Sequence, residues 1–264
     1  MPSSLDPRAA SPANSGPAID RRVALGRITW TGPLLLATGR SGLILLAQAL
    51  AAGVFALRGH PAPWRAAAPW WTVYGTLVDL GCLALMWRFT RAEGITIRDL
   101  IGAIRLPRDI LAGLGYYCLV FPFFVGGGLL SAKLVYGNIQ PDVPSGLIFG
   151  RVLPLWGVVY SLSVFWMIWS PTEEMTYQAY ALPRIQALSG RTWVAMVVVG
   201  FWWALQHSFL PFLPDWRCVL WRFLAFVPGV IVFMLVYLKT RRLPPLIVAH
   251  WPMDIVAALM TLQW

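Results

Sequence analysis

Glu173 and Glu174 follow Pro171 in the stretch Ser170-Pro171-Thr172-Glu173-Glu174-Met175-Thr176-Tyr177-Gln178, inside a long apolar run. His207 closes a second such run, and His250 and Asp254 lie within a third. An ionisable side chain at bilayer depth costs roughly 3 kcal/mol or more, so it persists where it has partners or a task. A carboxylate with imidazoles is equipped for acid–base chemistry on water, the carboxylate taking a proton while imidazoles orient the water or donate to a developing oxyanion. Helical spacing sorts these residues. Glu173 with Tyr177, Glu174 with Gln178, Trp203 with His207, and His250 with Asp254 are i, i+4 pairs that share a face. The adjacent glutamates point about 100° apart, which implies different tasks.

The elements that must position these groups are membrane spans. Hydrophobic residues make up 58% of the 264 residues and charged ones 12%, about half the share usual in soluble domains. The fold class expected is all-α, a polytopic transmembrane helical bundle with about seven spans, at 33–57, 68–87, 109–136, 152–182, 192–212, 218–238 and 243–263. One interfacial amphipathic helix is expected over Ile95–Leu106. Residues 1–28, rich in Pro, Ser, Ala and Arg, read as a mobile cytoplasmic tail, and 29–264 as a single transmembrane domain. The net charge of +10 does not point to nucleic acid: 19 of the 21 basic residues are arginines, most of them at the ends of apolar runs. With the N-terminus cytoplasmic, Arg8, Arg21, Arg22, Arg27, Arg88, Arg91, Arg98, Arg105, Arg108, Arg184, Arg191, Lys239, Arg241 and Arg242 fall on the inner side, as the positive-inside rule asks. That pattern places the chain as a multi-pass protein of the cell (inner) membrane. Arg40 and Asp79, in the first two spans, are expected to form a buried structural pair. Cys82, Cys118 and Cys218 have no ligand-like spacing and read as buried thiols.

Depth follows from the basic flanks at 1.5 Å per residue. Glu173 lies about 16 Å in from Arg184, His250 about 12 Å from Arg242, and His207 about 24 Å from Arg191. The first two agree, and the third helix must tilt to join them. The segment 152–182 is too long for one straight crossing, and Pro171 is expected to break or kink it.

Three motifs carry a resemblance. Glu-Glu-x-x-x-Gln at 173–178, Trp-x-x-x-His at 203–207 and His-x-x-x-Asp at 250–254 resemble, in order and spacing, the motifs of the CPBP family. That family comprises the CAAX prenyl endopeptidases and the bacterial Abi or bacteriocin-immunity relatives, and the likeness covers roughly residues 150–264. It implies an all-α membrane bundle acting as an intramembrane endopeptidase on a peptide or membrane-protein substrate, without a cofactor. Carried over, Glu173 is the base that activates water, assisted by His207, while His250 and Asp254 line the oxyanion site. Glu174, Gln178 and Trp203 are supporting residues. The chain departs from the pattern at Gln178, where the family usually has Arg, at Trp203 for Phe, and at Asp254 for Asn.

Other readings use the same residues. Glu173 and Glu174 could be a helix-start pair favoured by the helix dipole, and His250–Asp254 a structural tie between helices. A non-catalytic membrane protein that gives bacteriocin immunity or scaffolds a partner is the alternative function, and a proton-coupled transporter a weaker third. Two histidines and a glutamate could also bind zinc, but no His-Glu-x-x-His stretch is present and the ligands would come from three helices, so a metal-free site is preferred.

Overall fold

The computed structural model describes residues 12–140, 142, 144–150 and 152–262, and among these it is helical with no strand. The helices are α1 (Gly16–Ala24), α2 (Thr31–Leu57), α3 (Pro63–Ala67), α4 (Trp71–Glu93), α5 (Ile97–Ile101), α6 (Leu106–Tyr136), α7 (Leu155–Leu162), α8 (Val164–Glu174), α9 (Leu182–Ser189), α10 (Thr192–Phe209), α11 (Trp216–Thr240) and α12 (Pro244–Thr261). A π-helical segment, Met175–Ala181, joins α8 to α9 without a break.

Three of these, α2, α6 and α11, are long and apolar enough to cross a membrane by length and composition alone. Helices occupy the other expected spans but fall short of that standard. In α10 and α12 the cause is the polar residues themselves: Gln206 and His207 in one, His250, Asp254 and three prolines in the other, dilute 18-residue helices. At 1.5 Å per residue these helices are about 27 Å long, just under a bilayer core of about 30 Å.

The expected fourth span is a composite. Its first discontinuity is at Ser163, between α7 and α8, whose hydroxyl donates to the Val159 carbonyl at 2.6 Å. Such i−4 back-bonding bends helices. Pro171, expected to break or kink the span, lies inside α8. Apart from half-buried Pro171, every residue from Trp169 to Ile185 is buried. A helix covered on all sides is the hub of a bundle, and α2, α4, α10 and α12 pack around this one. Backbones come close where side chains vanish. On α6 a Cβ at Gly127 would run into the Ala225 carbonyl of α11, so only glycine allows that crossing.

Two expectations are corrected. The interfacial helix is shorter than 95–106: α5 starts where Thr96 is tied to Asp99, the Thr96 N–H donating to Asp99 Oδ2 at 2.8 Å, and Gly102 with φ 76° ends it. The tail is ordered from residue 12 onward, residues 1–11 lying outside the described part. Ile19 on α1 is fully buried, and Asn14 Nδ2 donates to the Ala179 carbonyl at 2.9 Å. Behind it lies a buried ion network. Arg184 grips Glu93 with two bonds, Nε to Oε1 at 2.7 Å and Nη2 to Oε2 at 2.6 Å, and Arg22 Nε lies 3.4 Å from the same carboxylate. The third arm of Arg184 reaches Asn14 Oδ1 and the carbonyls of Ala179 and Tyr180, each at 3.2 Å. Those two carbonyls belong to the π-helical segment, whose wider turn changes the ordinary i−4 pairing.

Candidate functional site

The polar residues of three separate apolar runs meet in one cluster beside the hub. Glu173, at the end of α8, is fully buried. Its Oε1 accepts a hydrogen bond from Trp203 Nε1 of α10. The same oxygen lies 3.7 Å from His207 Nε2 and 4.0 Å from His250 Nε2. Acid and both imidazoles thus converge, although His207 starts deeper by sequence count.

The tautomer of His207 follows from its surroundings. Its Nδ1 is 2.9 Å from the Trp203 carbonyl, which can only accept, so Nδ1 carries a proton and Nε2 is the nitrogen turned toward Glu173. The ring lies flat on Phe226 of α11, centroids 3.6 Å apart and planes 13° apart. Behind Trp203, Tyr177 stacks on the indole at 5.3 Å and 12°, and its hydroxyl donates to Gln206 Oε1 at 3.1 Å. The expected shared face of Glu173 and Tyr177 is therefore present, with Trp203 touching both.

Glu174 turns to a different neighbour, as the 100° step requires. Its Oε1 is 2.8 Å from His250 Nδ1, and its Oε2 accepts from Gln178 Nε2 at 2.5 Å. Gln178 thus fills its place as a neutral donor. His250 is held at both nitrogens, with Nε2 3.4 Å from Asp254 Oδ1. Asp254 in turn accepts from Ser170 Oγ at 2.6 Å through Oδ2, a link between α12 and α8. The side chains of His207, His250 and Asp254 are 16%, 10% and 14% exposed, against 0% for Glu173, so the site is approached from its histidine side.

Two residues of this cluster were not assigned to it from sequence. Ser170 lies three positions before Glu173, in the same stretch, and so was open to detection. Arg40 pairs with Asp79, Nη2 to Oδ1 at 2.8 Å, as expected, but the same nitrogen is 3.8 Å from Glu173 Oε2 and the guanidinium lies 4.0 Å over the Trp169 ring. A cation in mid-span was the only sequence signal for that role. Among the described residues, no group of three or more His, Cys, Asp or Glu side chains is arranged to hold a metal ion.

A family described as "Rce1-like: Type II CAAX prenyl endopeptidase Rce1-like" matches residues 154–256. The matched stretch contains all seven motif residues, from Glu173 to Asp254, and leaves out α1 to α6. No curated protein and no solved structure gives a significant match.

Proposed function

We propose that this helical membrane protein, whose residues 154–256 match a CAAX prenyl endopeptidase family, is an intramembrane endopeptidase in which a glutamate activates water. The observation that carries the reading is the convergence of one buried carboxylate and two imidazole nitrogens within 3.7 and 4.0 Å. A water between Glu173 Oε1 and His207 Nε2 would donate one hydrogen to each, both being acceptors. Its oxygen attacks the scissile carbonyl carbon as Glu173 takes the proton. The carbonyl oxygen becomes an oxyanion facing Nε2–H of His250, which in this reading is the imidazolium, donating Nδ1–H to Glu174 and steered by Asp254. The proton held by Glu173 then passes to the departing amide nitrogen, and the C–N bond breaks. General base catalysis of this kind is worth about 10²- to 10⁴-fold. In this reading no metal takes part.

The substrate class is a peptide or protein segment associated with the membrane, entering from the histidine side. We take the chain to cross the inner membrane seven times, with α7 to α9 as one composite span and the N-terminus cytoplasmic, a topology that the distribution of arginines supports. The test is cleavage by the purified, lipid-reconstituted protein of a farnesylated C-terminal tetrapeptide reporter and a membrane-peptide library, read by mass spectrometry. Cleavage by the wild type and its loss in Glu173→Gln and His207→Ala are expected. Cleavage of undiminished rate in both variants would remove the proposal.

A further inference from the structure

We infer that Arg40, on α2 and outside the family match, is a positioning residue of the peptidase site, holding the second oxygen of the Glu173 carboxylate so that the first faces the histidines. This rests on the endopeptidase reading and adds to it a part of the chain that the three motifs do not contain. The carboxylate is held at two points. Oε1 is fixed by Trp203 Nε1, while Oε2 accepts no hydrogen bond from any described residue and has Arg40 Nη2 at 3.8 Å. Without the cation on Oε2, the single bond from Trp203 would have to hold the carboxylate against rotation about Cγ–Cδ, and Oε1 would be less well aimed at His207 and His250.

Arg40 can serve this purpose because it is itself immobile. It has no exposed surface, its Nη2 is bonded to Asp79 Oδ1 at 2.8 Å, and its plane rests 4.0 Å over the Trp169 ring. Trp169 lies one turn before Glu173 on α8. The arginine is therefore keyed both to α4, through Asp79, and to the helix that carries the base. The placement also answers a departure from the family pattern. At position 178, where an arginine is usual, Gln178 supplies a neutral donor to Glu174, and the guanidinium beside the acid pair comes instead from α2 and addresses Glu173.

A purely structural Arg40 would exist only to neutralise Asp79, and the two roles separate in a double variant. Arg40→Gln leaves Asp79 buried and unpaired, and should lower the melting temperature in detergent as well as activity. Arg40→Gln with Asp79→Asn removes both charges, so stability returns, while kcat stays about tenfold to a hundredfold low at unchanged KM because the carboxylate is no longer aligned. Arg40→Lys keeps a charge for Asp79 without a planar group that can serve two carboxylates, so it folds with kcat about tenfold down. Wild-type kcat in the double variant, or in Arg40→Lys, would overturn the inference. Glu173→Gln in the same assay keeps the two levels apart. Cleavage that survives it removes the endopeptidase reading and this inference together, whereas cleavage lost in Glu173→Gln but intact in the double variant removes the inference alone.

Discussion

Replacing Glu93 by Gln leaves Arg184 charged, fully buried and without its carboxylate. Both bidentate bonds, at 2.7 and 2.6 Å, lose their ionic character, and Arg22, 3.4 Å away, loses the same partner. Breaking a buried pair by removing one member costs about 3–5 kcal/mol, because the remaining charge is uncompensated. For a chain of this length each kcal/mol lowers the melting temperature by about 2–4 °C, so a drop of about 10 °C is expected. Two controls give the ordering. Arg22→Ala should cost clearly less, since Arg184 still neutralises Glu93. Glu93→Leu with Arg184→Met should recover most of the loss, but not all, because the Ala179 and Tyr180 carbonyls lose their donor. The assay is thermal unfolding of purified protein in detergent, with peptide cleavage measured at a temperature where every variant is folded. A Glu93→Gln protein that melts with the wild type would refute the view that this network clamps the helix carrying the site.

Trp203→Phe places the residue usual in the family at this position and removes the N–H donor from Glu173 Oε1. A hydrogen bond to a charged group is worth about 1.5–3 kcal/mol, so stability should fall by that order in thermal melts. Ser170→Ala cuts the tie from α8 to Asp254, and a severalfold loss of kcat with little change in melting temperature is expected if Asp254 steers His250. Dialysis against a strong zinc chelator should leave cleavage unchanged, and activity that disappears and returns with added zinc would contradict the metal-free mechanism.

Much of the site was legible because its chemistry depends on spacing along single helices. The i, i+4 pairs Glu174–Gln178 and His250–Asp254 are fixed by local geometry, and the structure brings each into contact or close to it. Burial of Glu173, Glu174 and His250 followed from their surroundings in the chain. What was not legible depends on packing between distant segments. Arg40 and Asp79 could be paired from their common isolation in apolar spans, yet nothing local says that Arg40 also reaches a carboxylate 133 positions later. The interruption at Ser163 belongs to the same class, since a serine carries a weaker breaker signal than a proline. The folding of residues 12–28 was hidden because their composition resembles a tail, and a single anchored pair, Asn14 with the Ala179 carbonyl, together with Ile19, outweighs it. Helix α5 is short because Gly102 lies in the left-handed region, a constraint stronger than the apolar pattern that continues past it.

The most direct test is a single turnover in ¹⁸O-labelled water, comparing the wild type with Glu173→Gln and mapping the label by mass spectrometry. The expected result is one labelled oxygen in the new C-terminal carboxylate of the product, none in the Glu173 side chain, and no product from the variant. Label in the Glu173 carboxylate would mean that the side chain attacks the substrate itself. Equal turnover by Glu173→Gln would mean that the cluster of acid and imidazoles is not where the bond is cut.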